Sequence, residues 1–308
     1  MSALSRRRFL SIAACAALAS STGHAPPQPR LNWRGIALGA DVSITLDGPE
    51  EITRPALARA RLEIEAYETR FSLFRDGSDL VRLNRQGYLP DLDARWHDML
   101  HLSEALYHAT GGVFDPTIQP LWHAYANGSN PDAARALVDW KRVELPTRAR
   151  RGMRLGAGQA LSFNGIAQGA ATDAVRDILH AAGMKRVMVD VGETATLGGP
   201  WRLGVSDPEV GHITTVKLQD TALAVSSPAA LMLDTNAHHI LHPHGNFQPK
   251  WSSVAVVARR AAIADGFSTA GCFMKQSQLQ ACARRLDGIQ QVLVSQLHGK
   301  RDVISVPI

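Results

Sequence analysis

Hydrophobic and polar residues alternate, or recur at helical steps, along most of the chain. Alternation over residues 33–46 predicts a strand, and later apolar runs predict further strands at 186–191, 201–206, 213–218, 222–226, 252–258, 291–296 and 302–306. Apolar residues three or four positions apart predict helices at 55–71, 96–109, 131–138, 171–182, 265–275 and 277–286. Because these elements follow no regular βαβ alternation, the pattern favours an α+β fold with mixed or antiparallel sheets packed against helices.

Composition excludes several classes of protein. Of the 308 residues, 45% are hydrophobic and 20% are charged, which is typical of a globular protein and not of a disordered chain or a coiled coil. No apolar run reaches the roughly 18 residues of a membrane-spanning helix, so the chain is not expected to be transmembrane. Three cysteines are too few for a disulfide scaffold. We therefore expect a globular domain.

The N-terminus has the layout of an export signal. Three arginines at positions 6–8 precede a short apolar stretch and the small-residue site Ala17-Leu18-Ala19, and the string from Ser5 to Leu10 resembles a twin-arginine signal. A basic tail before an apolar helix, or a lipoprotein site at Cys15, are the alternatives. The pattern predicts a periplasmic protein with a signal at 1–19, a linker at 20–32 and one domain at 33–308.

The basic charge of the chain comes largely from this N-terminus. Without the first 19 residues, Lys+Arg falls from 33 to 30 while Asp+Glu stays at 28, so the net charge falls from +5 to +2. Nucleic-acid binding needs a basic stripe on the folded domain, and this excess is too small to indicate one. We therefore expect no nucleic-acid partner.

Two glycine-containing segments are candidate ligand contacts. Gly111-Gly112 follows a predicted helix and precedes Val113-Phe114-Asp115, where glycines allow close backbone approach to a ligand. An ordinary helix end followed by a turn explains the same residues. Residues 161–169 lead into a predicted helix whose first amides could face a phosphate, although the spacing matches no standard phosphate loop.

An aspartate and a threonine share one helix face. Asp265 and Thr269 are four residues apart, so a carboxylate and a hydroxyl project from the same side. Such oxygen donors suit a hard cation such as Mg²⁺. The alternative is that Asp265 caps the helix and Thr269 is packed inside the protein.

Four histidines lie within seven residues, at positions 238, 239, 242 and 244. We refer to residues 238–245 as the histidine segment. Transition-metal binding, one catalytic histidine and solvated turn residues all remain open from this pattern. Cys272 and Cys282 lie on predicted helices without an adjacent base, which favours buried free thiols.

Taken together and in this order, these strings resemble the ApbE family, the FAD:protein FMN transferases. The resemblance covers roughly residues 33–296 and includes Ser78-Asp79-Leu80, Val189-Asp190-Val191-Gly192 and the run from Trp201 to Pro208. It implies a T-fold-like architecture and Mg²⁺-dependent transfer of FMN from FAD to a Thr or Ser hydroxyl of an acceptor protein, with release of AMP. The implied acceptor is a flavoprotein subunit with an FMN-binding domain, such as one in a membrane redox complex.

The resemblance also implies roles for individual residues. Asp265, Thr269 and the Gly165 carbonyl would bind the metal, and His239 would act as general base. The implied FAD contacts are Leu38, Phe74, Val113, Phe114, Asp115, Ser162, Gln168 and Ile240.

The chain departs from the family pattern at several of these positions. An acid is usual at Ser162, Gly-Gly and Lys at Asn164-Gly165 and Gln168, Gly-Gly-Asp at residues 192–194, and Asp-Pro at His242-Pro243. The alternatives to a transferase are therefore a non-enzymatic periplasmic FAD-binding protein and a metal accessory protein that uses its histidine cluster.

Overall fold

The computed structural model describes residues 29–234, 237–297 and 303–308. The predicted signal at 1–19 and residues 20–28 of the predicted linker lie outside these residues, whereas the first strand already begins at Arg30, inside the predicted linker. Within the described ranges, no helix has the length and apolar character needed to cross a lipid bilayer.

The described residues form twelve strands and eight α-helices, together with three short 3-10 helices. The strands are β1 (Arg30–Ala37), β2 (Ala40–Asp47), β3 (Tyr88–Leu89), β4 (Met153–Arg154), β5 (Arg186–Val191), β6 (Thr194–Leu197), β7 (Trp201–Asp207), β8 (Gly211–Leu218), β9 (Ala222–Ser226), β10 (Ser253–Ala258), β11 (Ile289–Ser295) and β12 (Val303–Val306). The helices are α1 (Glu50–Phe71), α2 (Asp79–Gln86), α3 (Ala94–Ala109), α4 (Gln119–Asn127), α5 (Pro131–Arg135), α6 (Ala167–Ala181), α7 (Ala261–Gly271) and α8 (Gln276–Ala283).

One eight-stranded sheet, in the order β1-β2-β5-β6-β9-β10-β11-β12, organises the molecule. All of its neighbouring strands are antiparallel, which confirms the predicted α+β class. The sheet has two four-stranded halves, joined where β6 meets β9 through only two residue pairs, Thr194 with Leu223 and Ala195 with Ala222. Helix α6 precedes β5 in the first half and α7 follows β10 in the second, and the two helices pack against each other.

Both faces of the sheet are covered near its centre. In β10, Val254 and Val256 belong to the main core beneath the helices, whereas Ala255 and Val257 belong to a second core beneath the β7–β8 hairpin. Side chains on a strand alternate between faces, so this division follows directly from the run of apolar residues. The double coverage explains why β9 and β10 are apolar at almost every position.

The structure corrects several predicted boundaries. The single strand predicted over 33–46 is wrong, because Leu38 and Gly39 adopt positive φ values of 50° and 79° and turn the chain into the β1–β2 hairpin. Helix α1 begins at Glu50 rather than at Pro55, which lies within it. The missing amide of Pro55 leaves only a carbonyl of the exposed first turn without its helical partner.

Helix α7 also begins earlier than the apolar pattern predicts. It starts at Ala261 rather than at residue 265, and its N-cap is Arg260. Asp265 is therefore in the second turn, where its side chain cannot cap the helix. This excludes capping of its own helix by Asp265, although its Oδ2 accepts from the Gly169 amide in the first turn of α6.

Candidate functional site

The predicted metal ligands meet where α7 faces the segment that leads into α6. Asp265 is 3% exposed, and its Oδ2 accepts a hydrogen bond from the Gly169 amide at 3.1 Å. Thr269 lies one turn further along α7, and a Cβ placed on Gly165 would lie 3.1 Å from its Oγ1. The same Cβ would lie 3.5 Å from the ring of Phe114. Three segments far apart in the sequence, around Phe114, Gly165 and Asp265, are thus brought together, and a side chain at position 165 would crowd them.

Carboxyl groups with raised pKa values gather at this place. Burial, reinforced by Asp173, raises the pKa of Asp265 to about 7, although the hydrogen bond from Gly169 opposes the shift. Burial, with the charges of Asp265 and Asp190, raises the pKa of Glu193 well above its usual range. We name Asp190, Glu193 and Asp265 the acidic cluster.

The donor set around Asp265 fits a hard divalent cation. One carboxylate, the hydroxyl of Thr269 and the backbone carbonyl of Gly165 offer only oxygen atoms, which Mg²⁺ prefers. A cation at this place would also offset the mutual repulsion of the buried carboxylates. Sequence reasoning did not assign Glu193 to the site, because the sheet register brings it towards Asp265 from 72 positions away.

A hydroxyl network connects α7 with β9. The Ser226 Oγ lies 2.8 Å from the Ser268 Oγ and 3.3 Å from the Thr269 Oγ1. Ser226 is the last residue of β9, and the chain then runs through Pro228 towards the histidine segment. The network therefore holds the Thr269 side chain next to β9, the strand that leads to the histidine segment.

His239 is held by two backbone carbonyls. Its Nδ1 lies 3.2 Å from the Leu231 carbonyl oxygen, and the Pro228 carbonyl forms a second interaction. A carbonyl can only accept, so Nδ1 carries the proton and Nε2 is left as a proton acceptor. Burial lowers the pKa of His239 below its ordinary value, and the two carbonyls only partly oppose this shift. The imidazole is therefore neutral near pH 7 and can act as a base.

The other histidines have different environments. The His242 ring contacts Phe247 and Phe273 edge-on, and burial, with the nearby His244 and Arg135, lowers its pKa to about 4. Within the residues that the structure describes, no three His, Cys, Asp or Glu side chains are placed to bind one metal ion. The interpretation of the histidine segment as a transition-metal site therefore has no geometric support in the described residues.

Three of the implied FAD contacts adjoin one another at the β1–β2 turn. The Gln168 Nε2 donates to the Leu38 carbonyl at 3.4 Å, and the Leu38 amide donates to Glu68 Oε2 at 2.5 Å. A Cβ placed on Gly39 would meet the ring of Phe74 at 2.9 Å. Phe74 itself is 47% exposed, so this corner presents an accessible aromatic ring.

The remaining implied FAD contacts are mostly engaged in the protein itself. The Asp115 Oδ1 accepts from the amide and the hydroxyl of Thr117, and Oδ2 accepts from the Trp140 amide. These bonds occupy the Asp115 carboxylate in capping a short helix, so its backbone is better placed to meet a ligand than its side chain.

Ser162 and its neighbours connect residues 113–116 with the candidate metal ligands around Thr269. The Ser162 amide donates to the Pro116 carbonyl at 2.8 Å, and its Oγ accepts from the Asn164 amide at 3.3 Å. Phe114 is buried, and Val113 and Ile240 are partly buried against the main core. The segments 113–116 and 162–165 therefore form one continuous wall beside Thr269.

Comparison with known proteins finds relatives in sequence and in fold. A curated relative from Treponema pallidum (strain Nichols), named FAD:protein FMN transferase, is 25% identical over 289 residues, covering 80% of this chain and 78% of its own. The structure of the ApbE protein from Thermotoga maritima superposes with a TM-score of 0.78 at 22% identity, over 90% of this chain and 96% of the other. Flavin transferase ApbE from Vibrio cholerae gives 0.75 at 21% identity, over 91% and 97%.

The match to the family extends over most of the folded domain. The ApbE family model covers residues 38–293, from the β1–β2 turn into β11, and so includes the sheet without its edge strands β1 and β12, together with all the candidate site residues. This range agrees closely with the roughly 33–296 expected from the sequence strings. The chain belongs to the ApbE family.

Proposed function

We propose that this protein is an FAD:protein FMN transferase, which uses Mg²⁺ to move FMN from FAD to a Thr or Ser hydroxyl of an acceptor protein and releases AMP. The observation that carries the proposal is the meeting of Asp265, Thr269 and Gly165 beside the acidic cluster. Family membership and the transferase activity for which the relatives are named support the same activity.

The metal would be held by the Asp265 carboxylate, the Thr269 hydroxyl and the Gly165 carbonyl. A bound Mg²⁺ supplies charge neutralisation at the pyrophosphate of FAD. The burial of Asp265 matters here, because a buried charge interacts with its neighbours more strongly than an exposed one. The hydrogen bond from Gly169 fixes the orientation of the carboxylate, so little reorganisation is needed when a ligand enters.

His239 would remove the proton from the acceptor. Its neutral Nε2 accepts the hydroxyl proton while the hydroxyl oxygen forms a bond to the phosphorus of the FMN half. The phosphorus bond to the bridging pyrophosphate oxygen breaks, and that oxygen leaves with AMP. The Leu231 carbonyl, which faces Nδ1, holds the ring in the tautomer that this step requires.

The direct test is an in vitro transfer assay. The full domain is incubated with FAD, Mg²⁺ and a candidate FMN-binding domain, and covalent flavin is detected by in-gel fluorescence and by the mass shift of the acceptor. We expect labelling that needs Mg²⁺ and is lost when the acceptor Thr or Ser is replaced by Ala. FAD binding without any labelling would instead indicate the non-enzymatic FAD-binding alternative.

We also propose that the enzyme works in the periplasm on a flavoprotein subunit of a redox complex. The support is the sequence from Ser5 to Leu10, which lies outside the described residues. Replacing Arg6 and Arg7 with Lys should strand the protein in the cytoplasm. An unchanged periplasmic yield would contradict the twin-arginine route.

A further inference from the structure

Arg135, at the end of α5, binds the backbone of the histidine segment. Its Nη1 donates to the carbonyls of His242 at 2.7 Å, Gly245 at 3.1 Å and Pro243 at 3.4 Å. Its Nη2 donates to the Tyr125 hydroxyl at 3.3 Å. One guanidinium thus satisfies three carbonyls of a turn that has no sheet or helix ladder of its own.

This arginine lacks the usual acidic partner. In the part of the chain that the structure describes, no carboxylate lies within ion-pair distance of Arg135. Its charge is therefore directed at carbonyl dipoles of the loop, and hydrogen bonds from a charged donor are stronger than neutral ones. The Nη1 nitrogen alone contacts the three carbonyls, and the second nitrogen, Nη2, is left to contact the Tyr125 hydroxyl.

The segment held by Arg135 packs against the wall that contains Val113 and Phe114. The His244 Nε2 lies 3.0 Å from the position that a Cβ on Gly112 would occupy, and Tyr107 closes the other side. Gly112 has a φ of 82°, so it brings the backbone close to the histidine without a side chain between them. A shift of the segment would therefore move the backbone immediately before Val113.

We propose that Arg135 is a positioning residue, which holds the histidine segment against Gly112 and thereby keeps the wall at 113–116 in the shape that binds FAD. The inference rests on the proposed function for the identity of the ligand. Arg135 touches no reacting group in this scheme and acts only through the segment.

The anchoring of His239 is independent of Arg135. His239 is bound by Leu231 and Pro228, upstream of the turn that Arg135 holds. Loss of Arg135 should therefore weaken FAD binding more than it slows the proton transfer. This split between affinity and turnover separates a positioning role from a general loss of folding.

The experiment compares the full domain with its Arg135→Ala, Arg135→Lys and Arg142→Ala variants. Arg142 is the matched control, because its Nη2 also donates to a backbone carbonyl, that of Ala157, but does not contact the histidine segment. FAD affinity is measured by calorimetry with Mg²⁺, and kcat, KM and the pH profile are measured in the transfer assay. Each variant is also measured with added guanidinium chloride at millimolar concentrations.

We expect Arg135→Ala to weaken FAD binding about tenfold, equivalent to about 1.4 kcal/mol, with kcat at saturating FAD and its pH profile unchanged. Arg135→Lys should be intermediate, because the ammonium keeps the charge but has no second nitrogen to contact the Tyr125 hydroxyl. Guanidinium should restore affinity in the Ala variant alone, since Arg135 lines an open cleft with Asp132 and His244 that admits a small cation. The Lys variant keeps the test valid if the Ala variant does not fold.

FAD affinity in the Arg135 variants equal to that of Arg142→Ala would overturn the proposal. So would a loss that guanidinium does not restore and that follows the fraction of unfolded protein. If the wild-type protein binds FAD but labels no acceptor, the proposed function fails, while the affinity comparison still decides the role of Arg135.

Discussion

The two chemical parts of the site are built in different ways. Asp265 and Thr269 project from α7, a helix that is buried along most of its length between the sheet and its neighbours. His239 lies in an irregular segment between β9 and β10, where backbone carbonyls hold its ring and Arg135 holds the turn that follows it. The contrast shows that the charged part takes its position from core packing, whereas the base takes its position from a few polar contacts. Substitutions in α7 should therefore distinguish the effect of the carboxylate charge on activity from the effect of side-chain packing on stability. Substitutions in the histidine segment should distinguish residues that hold the segment in place from the residue that accepts the proton.

The sharpest test of the first half of this comparison is Asp265→Asn. The amide keeps the size of the side chain and an oxygen that can accept from Gly169, but it removes the charge. We expect transfer to fall by about 10³-fold or more, with no loss of thermal stability, because an uncompensated buried charge is removed. Activity assays and thermal unfolding measure the two effects.

Asp173→Asn is the matched control for that variant. Asp173 is also fully buried, but it accepts from the Ala261 and Ala262 amides and pairs with Arg176 and Arg260. Breaking this arrangement should lower the free energy of unfolding by about 3–5 kcal/mol. If the Asp265 variant lost as much stability as the Asp173 variant, the conclusion that Asp265 serves the site while Asp173 stabilises the fold would be contradicted.

The second half of the comparison is tested by His239→Ala. Loss of a general base should slow transfer by about 10²–10⁴-fold, while FAD affinity changes little. Burial lowers the pKa of His239, so the wild-type rate at saturating Mg²⁺ should fall only as the pH drops below the ordinary histidine value of 6.5 and through that lowered pKa. His242→Ala and His244→Ala should have smaller effects on kcat. A larger loss in either would mean that a different histidine is the base.

The acidic cluster predicts how Mg²⁺ affinity depends on pH. With its pKa raised to about 7, Asp265 holds a proton in the metal-free protein at lower pH, and Mg²⁺ must displace it. Mg²⁺ affinity should therefore fall about tenfold for each pH unit below 7, or about 100-fold by pH 5. Calorimetric titration across this range measures the slope, which Asp265→Asn should abolish.

The raised pKa of Asp265 also predicts how the free energy of unfolding of the metal-free protein changes with pH. A carboxyl whose pKa rises on folding, here from 3.8 to about 7, stabilises the fold fully below pH 3.8. That contribution is lost as the pH rises through the interval to about 7. Chemical denaturation in EDTA should therefore show this contribution decreasing over this interval in the wild-type protein but not in the Asp265→Asn variant.

A smaller effect distinguishes neighbouring hydroxyls on α7. Thr269→Ala should weaken Mg²⁺ binding by about tenfold, since a neutral ligand contributes less than a carboxylate. Ser268→Ala, one position away, removes a hydroxyl that is turned towards Ser226 and the Asp265 carbonyl. It should leave Mg²⁺ affinity unchanged, and equal losses in both variants would contradict the assignment of Thr269.

The smallest expected change concerns Ser162. A carboxylate at this position would form charge-assisted hydrogen bonds where the hydroxyl forms neutral ones, a difference of roughly 1 kcal/mol. Ser162→Asp should therefore tighten FAD binding about fivefold and leave the Mg²⁺ requirement intact. Calorimetry with FAD measures this, and weaker binding would show that the surroundings of Ser162 do not accept the charge.

Residue spacing predicted more of α7 than of the loops. The steps between Asp265 and Thr269 are a local property of a helix, so the sequence was sufficient to place both side chains on one face. The turn at Leu38-Gly39 was not predicted, because apolar alternation continues through it. Glu193 and Arg135 were missed for another reason: their contacts depend on the register of distant strands and on the path of a loop, which no local period records.

The way the sheet is assembled has a consequence for the behaviour of the enzyme. Its two halves share two backbone residue pairs at β6 and β9, yet the proposed ligands come from both sides, with Gly165 before α6 and Asp265 and Thr269 on α7. A nucleotide and a cation bound between these helices would connect the two halves of the sheet near β6 and β9, where the strands pair least. Substrate binding would then stabilise the contact between the two halves of the sheet, so that they unfold together. Without FAD and Mg²⁺, unfolding of the enzyme would be least cooperative.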